Sequence, residues 1–147
     1  IVEFGFAVAA AELGDPDALE SVRAGVFAPE EQGELALLAC EALGTLGDQT
    51  YAGVLEERAF RAASGEIPLE IGLAAAGAVA QLRPEMAPVE WIVESGSHEQ
   101  PLIRQQAAAV LGLTVGSEAE ARLLTMLQDP DPLVRASAAV SVLRRGR

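Results

Sequence analysis

The chain contains no lysine and no asparagine, one cysteine, one histidine and one tryptophan. One cysteine, Cys40, leaves no internal disulfide framework and no multi-cysteine zinc site. One histidine, His98, falls short of the three or more converging ligands that a bound metal needs, and it leaves little material for a general base. Aromatics make up only 4% of the residues, too few for the faces of a β-sandwich. Positive charge is scarce as well: ten arginines against 22 acids give a formal net charge of −12. A balance so negative opposes approach to nucleic acid or to an anionic membrane surface. The longest apolar stretches are broken by Glu, Gly or Gln, so none reaches the length of a membrane span and no membrane insertion is expected. No glycine-rich phosphate loop and no Ser/His/Asp constellation can be assembled.

What is present is aliphatic and small. Of 147 residues 50% are hydrophobic, with Ala and Leu abundant, a composition suited to closely packed helices in one unit or a short array. All basic residues being Arg, together with the Ala-rich composition, is the usage of a GC-rich bacterial genome. The sequence opens at Ile1, without Met and already inside a helical pattern. Residues 1–147 are therefore expected to be a single array within a longer chain, or a processed product. The cytoplasm is favoured, with the periplasm open should a leader have been removed upstream.

The chain repeats. Asp129-Pro130-Asp131-Pro132-Leu133-Val134-Arg135, followed by Ala138-Ala139, is matched by Pro101-Leu102-Ile103-Arg104, followed by Ala107-Ala108. Ile71 leads to Ala75-Ala76, Leu35 to Ala39-Cys40, and Val2 to Phe6-Ala7. The anchors Val2, Leu35, Ile71, Ile103 and Val134 are separated by 33, 36, 32 and 31 residues, a period expected for one helix pair. Each anchor begins a stripe of helical spacing, as in Ile71, Ala75, Ala78, Val79 and Leu82. The Ala pairs let neighbouring helices approach closely. Val2, Phe6, Ala9, Ala10 and Leu13 make the first such stripe.

Stop and start signals punctuate the stripes. Gly14-Asp15-Pro16 and Gly47-Asp48 end one helix with Gly and cap the next with Asp. Ser117-Glu118-Ala119-Glu120 reads as a capping box, and Asp131 as an N-cap. Shorter first helices are expected over about Asp17–Phe27, Gln49–Ala62, Pro88–Glu94 and Glu118–Gln128, with boundaries good to about 2–4 residues.

Through Leu127-Gln128-Asp129-Pro130-Asp131-Pro132-Leu133-Val134-Arg135 and Ala138-Ala139 the chain resembles the HEAT-like repeats of bacterial scaffold proteins and phycobilisome lyase-type proteins. The resemblance runs along essentially the whole chain and weakens toward the start. It implies an all-α fold, an α-α superhelix of about five HEAT-like helix pairs with the first repeat incomplete, giving nine or ten helices in a right-handed stack. Arg often follows the anchor in that family, as Arg104 and Arg135 do. Glu3, Ala36 and Gly72 stand there in the other repeats, so an Asp–Arg ladder is expected only in the last two.

Few residues invite chemistry. HEAT-like metal oxygenases use several His-Glu pairs, whereas this chain has His98-Glu99 alone, which reads as a loop. Cys40 occupies a small-residue position and reads as a buried hydrophobe. Trp91, between Val89 and Val93, reads as packing between repeats. Glu57, Arg58 and Arg61, like Glu118, Glu120 and Arg122, read as outer-face charges with local pairing. Arg144, Arg145 and Arg147 complement a helix C-terminus. No catalytic residue, metal site or cofactor is expected.

In arrays of this kind the second helices line the concave side. Positions two, three, six and ten past each anchor turn away from the helix-pair core. Among these, Phe4, Val8, Leu37, Leu38, Glu41, Leu73, Gln81, Gln106, Leu113 and Val140 are expected to form a partner-binding strip, unusually apolar for a surface. Two other arrangements fit the same pattern: tight curvature that buries these side chains in one another, or an upstream segment lying over Phe4 and Val8. The function expected is a non-catalytic scaffold for a protein or peptide partner. The alternatives are a chromophore-lyase-like or other enzyme-associated module, implied by the resemblance alone, and a structural spacer.

Overall fold

A computed structural model describes residues 2–146, and among these nine α-helices and three 3-10 turns occur with no strand. The helices are α1 (Val2–Glu12), α2 (Pro16–Gly25), α3 (Gly33–Leu46), α4 (Ala52–Ala63), α5 (Leu69–Leu82), α6 (Val89–Ser95), α7 (Pro101–Leu111), α8 (Ser117–Met126) and α9 (Pro132–Arg145). Every anchor from Leu35 onward lies in the first turns of α3, α5, α7 or α9. The expected first helices are α2, α4, α6 and α8. The chain thus comprises four helix pairs preceded by α1, a second helix with no first helix before it among the described residues.

Local signals set most of the boundaries. Asp15 caps α2 by accepting from the backbone N–H groups of Asp17 and Ala18, and Asp131 caps α9 through those of Leu133 and Val134. Gly47 ends α3 in the left-handed region at φ 73°. Two caps read from the sequence are not made. Asp48 turns its carboxylate to Arg23 instead of to the following turn, at 2.7 and 2.9 Å. Ser117 is already helical; the N-cap of α8 is Gly116 at φ 100°, and no capping box closes. A bidentate ion pair outcompetes the first cap, and a glycine that starts the helix one residue early removes the second.

Packing follows the small residues. Along α5 every residue from Ile71 to Ala80 is buried, because α4 covers one side while α3 and α7 close over the others. Gly72, where Arg stands in the last two repeats, is where α4 and α5 meet most closely: a Cβ there would overlap the Cβ of Ala62. Gly112, just past α7, similarly faces Ser141 of α9, whose hydroxyl donates to the Ala108 carbonyl at 2.7 Å. Ala39, Cys40, Ala75, Ala76, Ala107, Ala108 and Ala138 are all buried. Ala139 is not; it faces outward on α9, the last helix of the row, where no neighbour packs against it.

The first stripe is reversed. Phe4, Ala7, Val8 and Ala11 pack toward the core, and Phe4 reaches Gly25 of α2. The anchor stripe is left outside, with Val2, Phe6 and Leu13 strongly exposed. The sequence pattern is the same as in α5; what differs is that no first helix covers it among the described residues. Helix α1 packs mainly on α2 and only marginally on α3, so it does not extend the row of second helices.

Candidate functional site

The row α3, α5, α7, α9 does not present an open apolar wall. It forms a shallow groove in which α5 is the floor and α3 and α7 the walls. Two adjoining depressions of about 290 and 300 Å³ share Glu41, Gln106 and Ala109. Ala74, Gly77 and Ala78 make the floor, Leu37 and Thr45 stand on the α3 side, Leu113 and Val110 on the α7 side, and Arg144 of α9 closes one end.

Of the ten residues expected in the strip, the structure gathers five here: Leu37, Glu41, Gln81, Gln106 and Leu113. Leu73 is wholly buried, since neighbouring helices close over it on α5, and it belongs to the core rather than to a contact surface. Phe4 and Val8 pack against α2 and the core margin, because α1 leaves the row. Leu38 is half-buried and also packs outside the groove lining, while Val140 lies on the open outer side of α9 and is 57% exposed. Tight enclosure thus explains Leu73 and its neighbours Ala74 and Gly77.

Four groove residues escaped the pattern: Ala78 and Val110, each seven past its anchor on the core stripe, and Glu70 and Leu102. Glu70 and Leu102 each stand one position before an anchor, and both line the first depression. At 100° per residue this position falls within the same arc as those three, six and ten past the anchor, so the signal was present in the spacing. Gln106 ties the α7 wall to the floor helix α5 by donating from Nε2 to the Glu70 carbonyl at 2.7 Å. Crowding by the walls raises the Glu41 carboxyl above the ordinary glutamate range, although much of its side chain meets solvent at the groove mouth.

A larger hollow, about 600 Å³, lies on the opposite side between α4 and the segment leading into α6. Trp91 forms part of its wall and also packs on the core, its ring lying where a side chain at Gly72 of α5 would meet it, so it both packs between repeats and faces a cavity.

Several other polar residues hold loops and helix ends in place. Arg104 holds Asp129 at 2.8 and 3.0 Å and also donates to the His98 and Glu99 carbonyls, fixing the loop that carries His98. Arg135 donates to the Asp129 and Pro130 carbonyls. Of the ladder read from the last two repeats, the Arg104–Asp129 rung is present, while Arg135 meets backbone carbonyls instead of a carboxylate. The Arg23–Asp48 pair is an additional rung, from a first helix, that the sequence frame did not anticipate. The expected local pairing is not made: Arg61 pairs with Glu66 beyond its helix, Arg122 donates to Ser97, and Arg58 lies over the Phe27 ring. Arg145 donates to the Leu111, Thr114 and Gly116 carbonyls, tying down the end of α7 rather than only its own helix. Arg147 lies outside the described residues. Burial pushes the Cys40 thiol up to about 12. Among the described residues no three His, Cys, Asp or Glu side chains are grouped to hold a metal ion, and no helix is long and apolar enough to cross a membrane.

A family model described as HEAT repeats matches residues 68–145. No curated protein matches the chain. The matched span runs from the start of α5 to the end of α9 and includes the groove floor, its α7 wall and the Arg104–Asp129 rung. Repeats of this family in general act as scaffolds for protein–protein interaction. With its helix pairs, its 31- to 36-residue period and this match over more than half its length, the chain is a HEAT-repeat protein.

Proposed function

We propose that the chain is a non-catalytic scaffold that takes an extended or helical segment of a protein partner in the groove between α3 and α7. The supporting observation is the groove's composition. A floor of small apolar residues lies under Leu37 and Leu113, and Glu41, Thr45, Gln81, Gln105 and Gln106 stand around it. An apolar channel with a hydrogen-bonding rim suits a segment that buries side chains while keeping its backbone polar groups paired. Each depression has room for one or two side chains. The non-catalytic part of the reading is supported by Cys40, which is buried and held protonated, and by His98, whose Nδ1 accepts from the Gln100 N–H in a surface loop.

The test compares partner recovery by wild type and by Leu37→Ser with Leu113→Ser, followed by titration of the recovered partner. Both residues are half-buried, so helicity measured by circular dichroism should hold. Affinity should fall at least about tenfold, since anchor side chains carry most interface energy. Undiminished affinity in the double variant would overturn the groove.

A further inference from the structure

The outer layer of the array has a gap. Helix α4 has 12 residues and α6 only seven, so α6 is about 7.5 Å shorter at 1.5 Å per residue. The turns it lacks are replaced by a 3-10 turn at Pro84–Met86 and by extended backbone at Ala87. The outer flank of α4 is therefore left uncovered, and the 600 Å³ hollow is the result.

Its lining is unlike the groove's. Phe60, 69% exposed, stands on the α4 side. Met86, Pro88 and Trp91 stand opposite. Glu56 and Glu57 lie on the α4 wall, and among the described residues neither takes part in an ion pair. Glu85 and Glu90, both exposed, are next in sequence to Met86 and to Trp91. No arginine lines the cavity, in a chain whose net charge is −12.

We propose that this hollow is a second docking site, for a peptide segment in which an arginine neighbours an apolar side chain. The apolar side chain enters between Phe60 and Trp91. The guanidinium meets Glu56 and Glu57. Arginine suits the site better than lysine: its planar group forks onto carboxylates and stacks on an aromatic face, and it is less strongly hydrated. An acidic or neutral segment would leave the two carboxylates uncompensated beside the apolar surface it covers. The site lies across the molecule from the groove and shares no residue with it, so the array could hold two segments at once.

Trp91, the chain's one tryptophan, reports occupancy by its emission. The probes are the acetylated, amidated peptide Leu-Arg-Leu-Arg and its acidic counterpart Leu-Glu-Leu-Glu, titrated against the intact chain by fluorescence and, in parallel, by calorimetry. The basic peptide should saturate and the acidic one should not. Affinity for the basic peptide should weaken as salt rises from 50 to 500 mM, roughly as expected for exposed charges. Glu56→Gln with Glu57→Gln, and separately Phe60→Ala, should each weaken binding about tenfold. These residues are on the surface, so unchanged helicity is expected and is checked. Leu37→Ser with Leu113→Ser should leave this binding unchanged, which separates failure here from failure of the groove. Equal binding of the two peptides, absence of both heat and emission change below about 1 mM, or loss of binding only in the groove variant would overturn the proposal.

Discussion

Arg104 reaches from α7 to Asp129, 25 residues on in the loop before α9, and grips it with two parallel hydrogen bonds of 2.8 and 3.0 Å. The pair is largely enclosed, with side-chain exposures of 14% and 9%, and it spans the boundary between two repeats. The Arg104 guanidinium holds the Asp129 carboxyl below the ordinary carboxylate range. Its contribution is therefore complete above the unfolded-state value of about 3.9 and is lost as the pH falls through the lower folded-state value. Asp129→Asn should cost about 1–3 kcal/mol at neutral pH. In urea denaturation the gap from wild type should shrink by about pH 2.5; a gap equal at both pH values would contradict the assignment.

Glycine at the position after an anchor has a different use. Gly72→Ala places a methyl group onto Ala62, and the α4–α5 crossing must open to admit it. Overpacking of this kind costs about 1–3 kcal/mol, against a helix-propensity gain of about 1 kcal/mol. The net should be destabilising. Gly5→Ala in α1, where an added methyl meets nothing within 4 Å, should be neutral or stabilising by up to about 1 kcal/mol. Thermal denaturation of the two variants decides: a stabilised Gly72→Ala would mean the crossing is looser than described.

The period, the helix pairs and most of the boundaries were legible because they rest on local chemistry: Ala pairs, Gly ends, and Asp15 and Asp131 as caps. What depended on neighbours was not. Leu73 and Leu37 occupy the same position in the frame, two residues past Ile71 and Leu35, yet one is wholly buried and the other lines the groove. The difference lies in how closely α3 and α7 approach α5, set by glycines such as Gly44 and Gly77 that meet Ala78 and Leu113. Asp48 could equally have capped its own turn; only the position of Arg23 on α2 decides otherwise. The outer hollow arises from the shortness of α6, which was legible in the expected Pro88–Glu94, whereas the exposure of Phe60 beside it was not.

The end of the array separates two alanines that the repeat frame treats alike. Ala108 is wholly buried, and Ser141 of α9 donates to its carbonyl. Ala139, 31 residues later, faces outward on α9. Ala108→Leu should destabilise by about 1–3 kcal/mol, whereas Ala139→Leu should change stability by less than about 0.5 kcal/mol, as should Ala136→Leu. Chemical denaturation of the three variants measures this directly. Equal losses at Ala108 and Ala139 would mean that α9 is covered in solution.

Glu41 connects stability to the groove. Two depressions meet at its side chain, and the surrounding walls raise its carboxyl above the ordinary range by disfavouring the charged form. A raised folded-state value means that below the unfolded value of about 4.3 the group is protonated in both states and costs nothing. As the pH rises through the folded-state value, the cost of holding the charge becomes complete. Glu41→Gln should therefore be more stable than wild type at pH 7, and the two should converge below about pH 4. The gain should stay under about 1 kcal/mol, because the side chain is exposed enough for solvent to screen it. A partner that meets Glu41 with a donor or a cation would reverse the sign: Glu41→Gln should then bind more weakly while folding more firmly. Denaturation across pH 3.5–7 and titration of the partner at pH 7 test the two halves separately. A variant less stable than wild type at neutral pH would show that the Glu41 charge is compensated within the groove, leaving no cost for a partner to relieve.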